Sequence, residues 1–303
     1  MKKWICALLA VAVLCLSGCS VHAQKTMFAM DTVMDLQLWG ADSEKAAQAV
    51  QQMITDTENT WSAAKPDSLI ARLNRGEAVE HDLLLQVLAL SQRTQGAFDP
   101  KLGAVMQAWG FRSKEYCVPT ARELETALQE KSWDLGGAVK GYTGALAVQL
   151  LEEMKIDRAI LNLGGNIQTY GQKPDGAPWT VAIQNPDGGA YLGFLSVAGT
   201  AAIVTSGDYQ RYFEKDGVRY HHILDPQTGM PANTGLRAVT VICRDGLTAD
   251  VLSTALLVMG LEKATAFWRQ SDDFQAVFVT GEGKIYATDG AALSGCAYEV
   301  IAK

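Results

Sequence analysis

The chain has 303 residues and a net charge of −7, with 48% hydrophobic and only 19% charged positions. That length accommodates one large or two ordinary domains around a sizeable core. The acidic balance and the lack of a basic stripe exclude a nucleic-acid partner. A phosphate-bearing small ligand stays open, because backbone N–H groups or a metal neutralise phosphates locally.

Residues 1–18 have the pattern of a signal peptide. Met1-Lys2-Lys3 is a basic start, and the apolar stretch from Trp4 to Leu16 is too short to span a bilayer. Leu16-Ser17-Gly18-Cys19 resembles a bacterial lipobox. That resemblance implies cleavage before Cys19, lipidation of its thiol and an extracytoplasmic protein tethered to a bacterial membrane, on the periplasmic face or the cell surface. An ordinary signal peptide with an incidental cysteine is the plainer alternative. Residues 19–24 read as the lipid-anchored linker, and residues 25–303 as one domain. Cys117, Cys243 and Cys296 remain after cleavage and form no CxxC spacing, so neither zinc nor a redox pair is indicated.

Residues 25–38 alternate and read as one strand, with Met30-Asp31-Thr32 in its middle, where an Asp must face solvent or a ligand. Helix spacing over residues 43–61 places Ala46, Ala47, Val50 and Ile54 on one face, with Asp42 or Ser43 as cap. After a loop containing Ala64, Lys65 and Pro66, a second helix starts at Asp67 or Ser68 and stops at Asn74 and Gly76. Residues 81–94 form an amphipathic helix with His81 as a solvated first-turn residue. Gly96-Ala97-Phe98-Asp99-Pro100 breaks it, and short helices follow up to Trp109 and over residues 120–129. Asp134-Leu135-Gly136-Gly137-Ala138-Val139-Lys140-Gly141 is a glycine turn leading into a helix over residues 142–154.

Strands are expected over residues 159–163, 179–184, 191–197 and 201–205. Residues 209–213 and 219–223 flank Lys215-Asp216-Gly217, a hairpin signal. A strand at 238–243, a helix at 247–259 ended by Gly260, a helix at 261–269 and strands at 276–280 and 284–288 complete the chain. Hairpins mixed with separate helices indicate an α+β fold with mixed or antiparallel sheets.

Three constellations carry candidate chemistry, each beside a plainer reading. Asp250 and Thr254 share one helix face and can give a carboxylate and a hydroxyl to one Mg²⁺ or Ca²⁺; equally, a Thr in a helix bonds back to its own backbone. The glycine turn after Asp134 can cradle a phosphate or be an ordinary strand-to-helix turn. His221-His222 can supply a general base, but adjacent strand residues point opposite ways, so at most one faces a site.

In order, Met30-Asp31-Thr32, Gly96-Ala97-Phe98-Asp99, Asp134-Leu135-Gly136-Gly137-Ala138-Val139-Lys140-Gly141-Tyr142, Asn162-Leu163-Gly164-Gly165-Asn166, Thr205-Ser206-Gly207-Asp208-Tyr209, His221-His222-Ile223-Leu224-Asp225-Pro226-Gln227-Thr228-Gly229 and Ala249-Asp250-Val251-Leu252-Ser253-Thr254 resemble the ApbE-type FAD:protein FMN transferase family. The resemblance covers essentially all of the mature chain. Two positions depart from it: Asp31 stands where many members carry Gly, and Asn166 where many carry Asp.

The resemblance implies an ApbE-like fold, FAD as substrate, Mg²⁺ as cofactor and a flavin-accepting protein as partner. FMN would pass to a Thr or Ser hydroxyl with release of AMP. It assigns the metal to the Gly137 carbonyl, Asp250 and Thr254, with Ser253 close by. Flavin contacts fall on Met30, Ala64, Lys65, Pro66, Asp99, Asp134, Lys140 and Leu224. His222 is the expected base and Asp225 the residue to orient it. The alternatives are an FAD pyrophosphatase that yields FMN and AMP, and a non-catalytic flavin-binding lipoprotein.

Overall fold

A hairpin stands where one strand is expected. In the computed structural model, which describes residues 22–303, β1 (His22–Ala29) pairs antiparallel with β2 (Thr32–Trp39), from His22↔Trp39 to Ala29↔Thr32. Met30 and Asp31 are the two-residue turn, with φ of 49° and 61°. Two successive left-handed residues give the tight turn whose twist matches its strands. Glycine takes this conformation without steric cost, whereas Asp31 adopts it with a side chain. The linker expected through residue 24 is also corrected. Ala23 is buried in β1, and His22 stacks on Trp39 at 4.7 Å. The signal peptide and Cys19 lie outside the described residues.

α1 (Ser43–Trp61) has the expected bounds, and its face of Ala46, Ala47, Val50 and Ile54 is fully buried. No side chain caps its start. α2 (Leu69–Asn74) begins at Ser68, whose hydroxyl accepts the Ala71 N–H at 3.0 Å. α3 (Asp82–Arg93) is capped by His81, whose Nδ1 accepts the Leu83 N–H at 3.1 Å while its ring meets Trp61 edge-on. His81 is therefore a packed cap, not a solvated residue. α4 (Gly103–Ala108) is short, and α5 (Ala121–Gln129) opens on a capping box between Thr120 and Glu123. α6 (Val139–Glu153) begins directly at the glycine turn, three residues earlier than its apolar spacing suggests.

The strands β3 (Arg158–Asn162), β4 (Asn166–Tyr170), β5 (Trp179–Ile183), β6 (Gly193–Val197), β7 (Ala201–Gly207), β8 (Tyr212–Lys215), β9 (Val218–His221) and β10 (Leu236–Cys243) follow. α7 (Gly246–Arg269) comes next and is broken at Gly260, where φ is 77°. β11 (Phe274–Thr280), β12 (Ile285–Thr288), β13 (Leu293–Ser294) and β14 (Glu299–Ile301) end the chain. Among the described residues, nine strands form one sheet in the order β1-β2-β3-β4-β7-β10-β11-β12-β14. Neighbours in it are antiparallel except the parallel β12–β14 pair. β13, β6 and β5 form a smaller sheet, and β8–β9 a separate hairpin. The α+β expectation agrees with this architecture.

Two packing features position the site. β7, near the centre of the large sheet, lies against α7, and α7 lies against α6. At the α6–α7 crossing the backbones touch: a Cβ on Gly141 would lie 2.1 Å from the Gly246 carbonyl oxygen, and one on Gly246 2.4 Å from that of Gly141. Only two glycines permit this approach.

Candidate functional site

A cleft of about 700 Å³ gathers segments that are far apart in sequence. The Met30–Asp31 turn forms one wall, with Glu58 and the loop after α1 beside it. The glycine turn before α6 forms the floor, and the chain from Tyr209 to Leu224 supplies the wall with His222. Of the expected residues, Met30, Ala64, Lys65, Asp99, Asp134, Gly137, Lys140, His222, Leu224 and Thr254 line it. Pro66, Asp225, Asp250 and Ser253 do not. Pro66 is exposed and its carbonyl accepts from Arg75 at 2.8 Å.

The α6–α7 contact sets one end of the cleft. It brings the Gly141 N–H within 2.8 Å of Asp250 Oδ2, and Asp250 is 5% exposed. One turn further along α7, Thr254 lines the cleft. Gly137 lies against it, since a Cβ there would be 3.4 Å from Thr254 Oγ1 and 3.2 Å from the Phe98 ring. Burial raises the Asp250 carboxyl above its ordinary range, opposed by Lys140 and by the Gly141 N–H. A buried carboxylate whose charge is compensated only in part fits a cation. A carboxylate and a hydroxyl are hard oxygen donors suited to Mg²⁺ or Ca²⁺. Among the described residues no three His, Cys, Asp or Glu side chains converge. Ser253 is turned away from the cleft. It is fully buried, and its hydroxyl donates to the Asp250 carbonyl at 2.9 Å.

The two histidines diverge, with His221 the last residue of β9 and His222 just beyond it. His221 Nε2 is 3.1 Å from the Ala232 carbonyl, and the ring is buried. His222 lines the cleft, with Nδ1 3.1 Å from the Arg211 carbonyl. Burial pushes the His222 imidazole down to about 3, helped by the Arg211 charge and opposed by that hydrogen bond. The ring is therefore neutral at pH 7. A carbonyl only accepts, so Nδ1 carries the proton and Nε2 keeps a lone pair. Asp225 does not orient the ring: its Oδ1 accepts the Gln227 N–H at 2.8 Å in a local turn. The Arg211 backbone takes that role.

The remaining polar groups are preset by short-range bonds. Asp134 Oδ1 accepts the Gly136 N–H at 2.8 Å, which shapes the glycine turn, and Oδ2 pairs with Arg112 at 3.0 Å. Asp99 Oδ1 accepts the Lys101 N–H at 2.8 Å. The Lys140 ammonium lies 3.4 Å from the Gly164 carbonyl. Three residues that sequence reasoning gave no role organise the cleft. Glu58 accepts the Met30 N–H at 3.1 Å and lies 3.7 Å from the Lys65 ammonium. Arg112 holds Asp134, and Ser206 bonds both Ser253 and Thr254. Glu58 and Arg112 carry no motif signal. Ser206 lies inside the Thr205–Tyr209 run, whose position in the motif order was its only signal.

A family model described as the ApbE family matches residues 30–278. The chain belongs to the ApbE family. Relatives named FAD:protein FMN transferase include one from Klebsiella pneumoniae, 32% identical over 81% of this chain and 85% of its own length. One from Treponema pallidum is 32% identical over 82% and 81%. The ApbE protein of Thermotoga maritima superposes with a TM-score of 0.81 at 30% identity, over 88% of this chain and 96% of that one. The flavin transferase ApbE of Vibrio cholerae gives 0.79 at 28% identity, over 88% and 97%. This ApbE chain thus carries the family fold over nearly all of its described length.

Proposed function

We propose that the chain is a Mg²⁺-dependent FAD:protein FMN transferase that moves FMN from FAD to a Thr or Ser hydroxyl of a flavin-accepting protein and releases AMP. One observation carries this reading. His222, its Nδ1 held on the Arg211 carbonyl, lines the same cleft as Lys140 and Thr254, and the buried Asp250 stands one turn before Thr254 on α7.

The acceptor oxygen bonds to the FMN phosphorus, the bridging P–O bond breaks, and AMP leaves. His222 Nε2 takes the acceptor proton. Lys140 holds the pyrophosphate charge. An anion beside Lys140 and Arg211 offsets the positive charges that lower His222, so substrate makes it a stronger base than it is in the free protein. Asp250, Thr254 and the Gly137 carbonyl are the residues that would hold a divalent cation. When bound, the cation neutralises charge on the phosphate oxygens. Met30, Ala64, Lys65, Asp99, Asp134 and Leu224 are the flavin-side contacts in this reading. The lipobox-like Leu16-Ser17-Gly18-Cys19 supports lipid anchoring on the extracytoplasmic side; Cys19→Ala should release the protein from the membrane fraction, and unchanged membrane association would refute the anchor.

The test is to incubate the protein with FAD, Mg²⁺ and a flavoprotein domain, then measure protein mass and released nucleotide. The expected result is an FMN adduct on the domain with equimolar AMP. FMN and AMP without an adduct would replace transfer by pyrophosphate hydrolysis. Intact FAD would leave only flavin binding.

A further inference from the structure

A chain of hydroxyls on β7 and α7 runs behind Thr254. Ser253 Oγ is 2.9 Å from the Asp250 carbonyl oxygen. Ser206 Oγ is 2.8 Å from Ser253 Oγ and 3.1 Å from Thr254 Oγ1. Ser253 is fully buried and Ser206 is 8% exposed.

Each hydroxyl has a single proton to donate, and a carbonyl has none. The Asp250 carbonyl therefore accepts from Ser253. Ser253, its proton engaged, can only accept from Ser206. Ser206 then has no proton left for Thr254, so Thr254 donates to Ser206. One carbonyl at the end of the chain sets the direction of all three bonds. Burial of Ser253 and Ser206 keeps water from supplying them an alternative partner, and leaving either hydroxyl unpaired would be costly. Ser253 also occupies the carbonyl four residues before Thr254, the usual acceptor for a Thr within a helix.

We propose that Ser206 and Ser253 are positioning residues that fix the Thr254 proton away from the cleft, so that Thr254 Oγ1 presents only lone pairs there. A hydroxyl that binds a cation must offer a lone pair and send its proton elsewhere. This inference rests on the reading of Asp250 and Thr254 as cation ligands. It gives Ser253 a role other than ligand: it starts the relay that Thr254 ends. The arrangement preorganises the hydroxyl before any cation arrives, so binding need not break a competing bond.

Neutron diffraction from deuterium-exchanged crystals of the FAD-free protein tests the relay directly. Deuterons are expected on Ser253 toward the Asp250 carbonyl, on Ser206 toward Ser253 and on Thr254 toward Ser206. Reversal of any of them overturns the proposal. Mn²⁺ titration of the FAD-free protein in the presence of ADP, followed by electron paramagnetic resonance, tests the consequence. Ser206→Ala and Ser253→Ala should each weaken Mn²⁺ binding roughly tenfold, the equivalent of one hydrogen bond. The double variant should be no weaker than either single one, because both break the same relay. Ser206→Thr, which keeps the hydroxyl, should restore affinity. If Asp250→Ala abolishes binding while both alanine variants stay within twofold of the parent, the relay is refuted and the cation reading stands. If Asp250→Ala leaves Mn²⁺ affinity unchanged, the cation reading and the role built on it both fall.

Discussion

Gly141→Ala tests the contact that assembles the cation end of the cleft. A Cβ there would lie 2.1 Å from the Gly246 carbonyl oxygen and 2.5 Å from Asp250 Cβ. The nearest obstacle is backbone, so no rotamer change relieves it, and α6 and α7 must separate by about 1 Å to reach ordinary contact. Overpacking of this kind costs about 1–3 kcal/mol. Separation also breaks the Gly141 N–H bond to the Asp250 carboxylate, and a bond to a charged group contributes about 1.5–3 kcal/mol. Alanine returns about 1 kcal/mol of helix propensity. The net expectation is a loss of about 1.5–5 kcal/mol, a large fraction of a typical domain's stability. Urea titration followed by circular dichroism and by Trp fluorescence measures it, and coincidence of the two transitions supports the conversion to free energy. A variant as stable as the parent would refute the backbone contact.

Other substitutions separate charge, orientation and strain. His222→Ala should slow FMN transfer roughly 10²–10⁴-fold, and an unchanged rate would remove His222 as the base. Because burial holds the His222 imidazole near 3 in the free protein, its active neutral form persists below pH 6.5. The acid limb of kcat/KM should therefore lie well below 6.5, and that of kcat higher, since bound pyrophosphate raises the group; a kcat/KM limb at or above 6.5 would contradict the burial argument. Glu58→Ala should raise the KM for FAD roughly tenfold with little change in kcat, by leaving the Met30 N–H unpaired, and Glu58→Gln should recover most of it. Equal losses in both constants, or none, would refute a purely positioning role. Asp31→Gly loses an exposed ion pair with Lys114 at 2.8 Å, of about 0.5 kcal/mol, but relieves a left-handed backbone costing about 1 kcal/mol. Its stability, read by thermal melting, should stay within about 1 kcal/mol of the parent, and a loss above about 2 kcal/mol would refute this balance.

Much of this protein was legible locally. The face of α1, the Ser68 cap, the α7 break at Gly260 and the β8–β9 hairpin follow from spacing, capping and turn chemistry, which act within a few residues. The ordered motifs were enough to indicate the family and ten of the residues that line the cleft. The β1–β2 turn was missed because Met30 and Asp31 carry no turn signature; the contacts that hold them, with Glu58 and Lys114, are long-range. Asp225 was expected to orient His222 because it is near in sequence; the chain instead folds its carboxylate onto Gln227 and offers the Arg211 carbonyl. The sequence by itself determined which oxygen donors share the α7 face, since a helical period fixes that. Only the tertiary structure decided that Gly246 meets Gly141, that β7 sets Ser206 against α7, and so which way the Thr254 proton points. Those are long-range contacts, governed by which strands and helices become neighbours, and no local period encodes them.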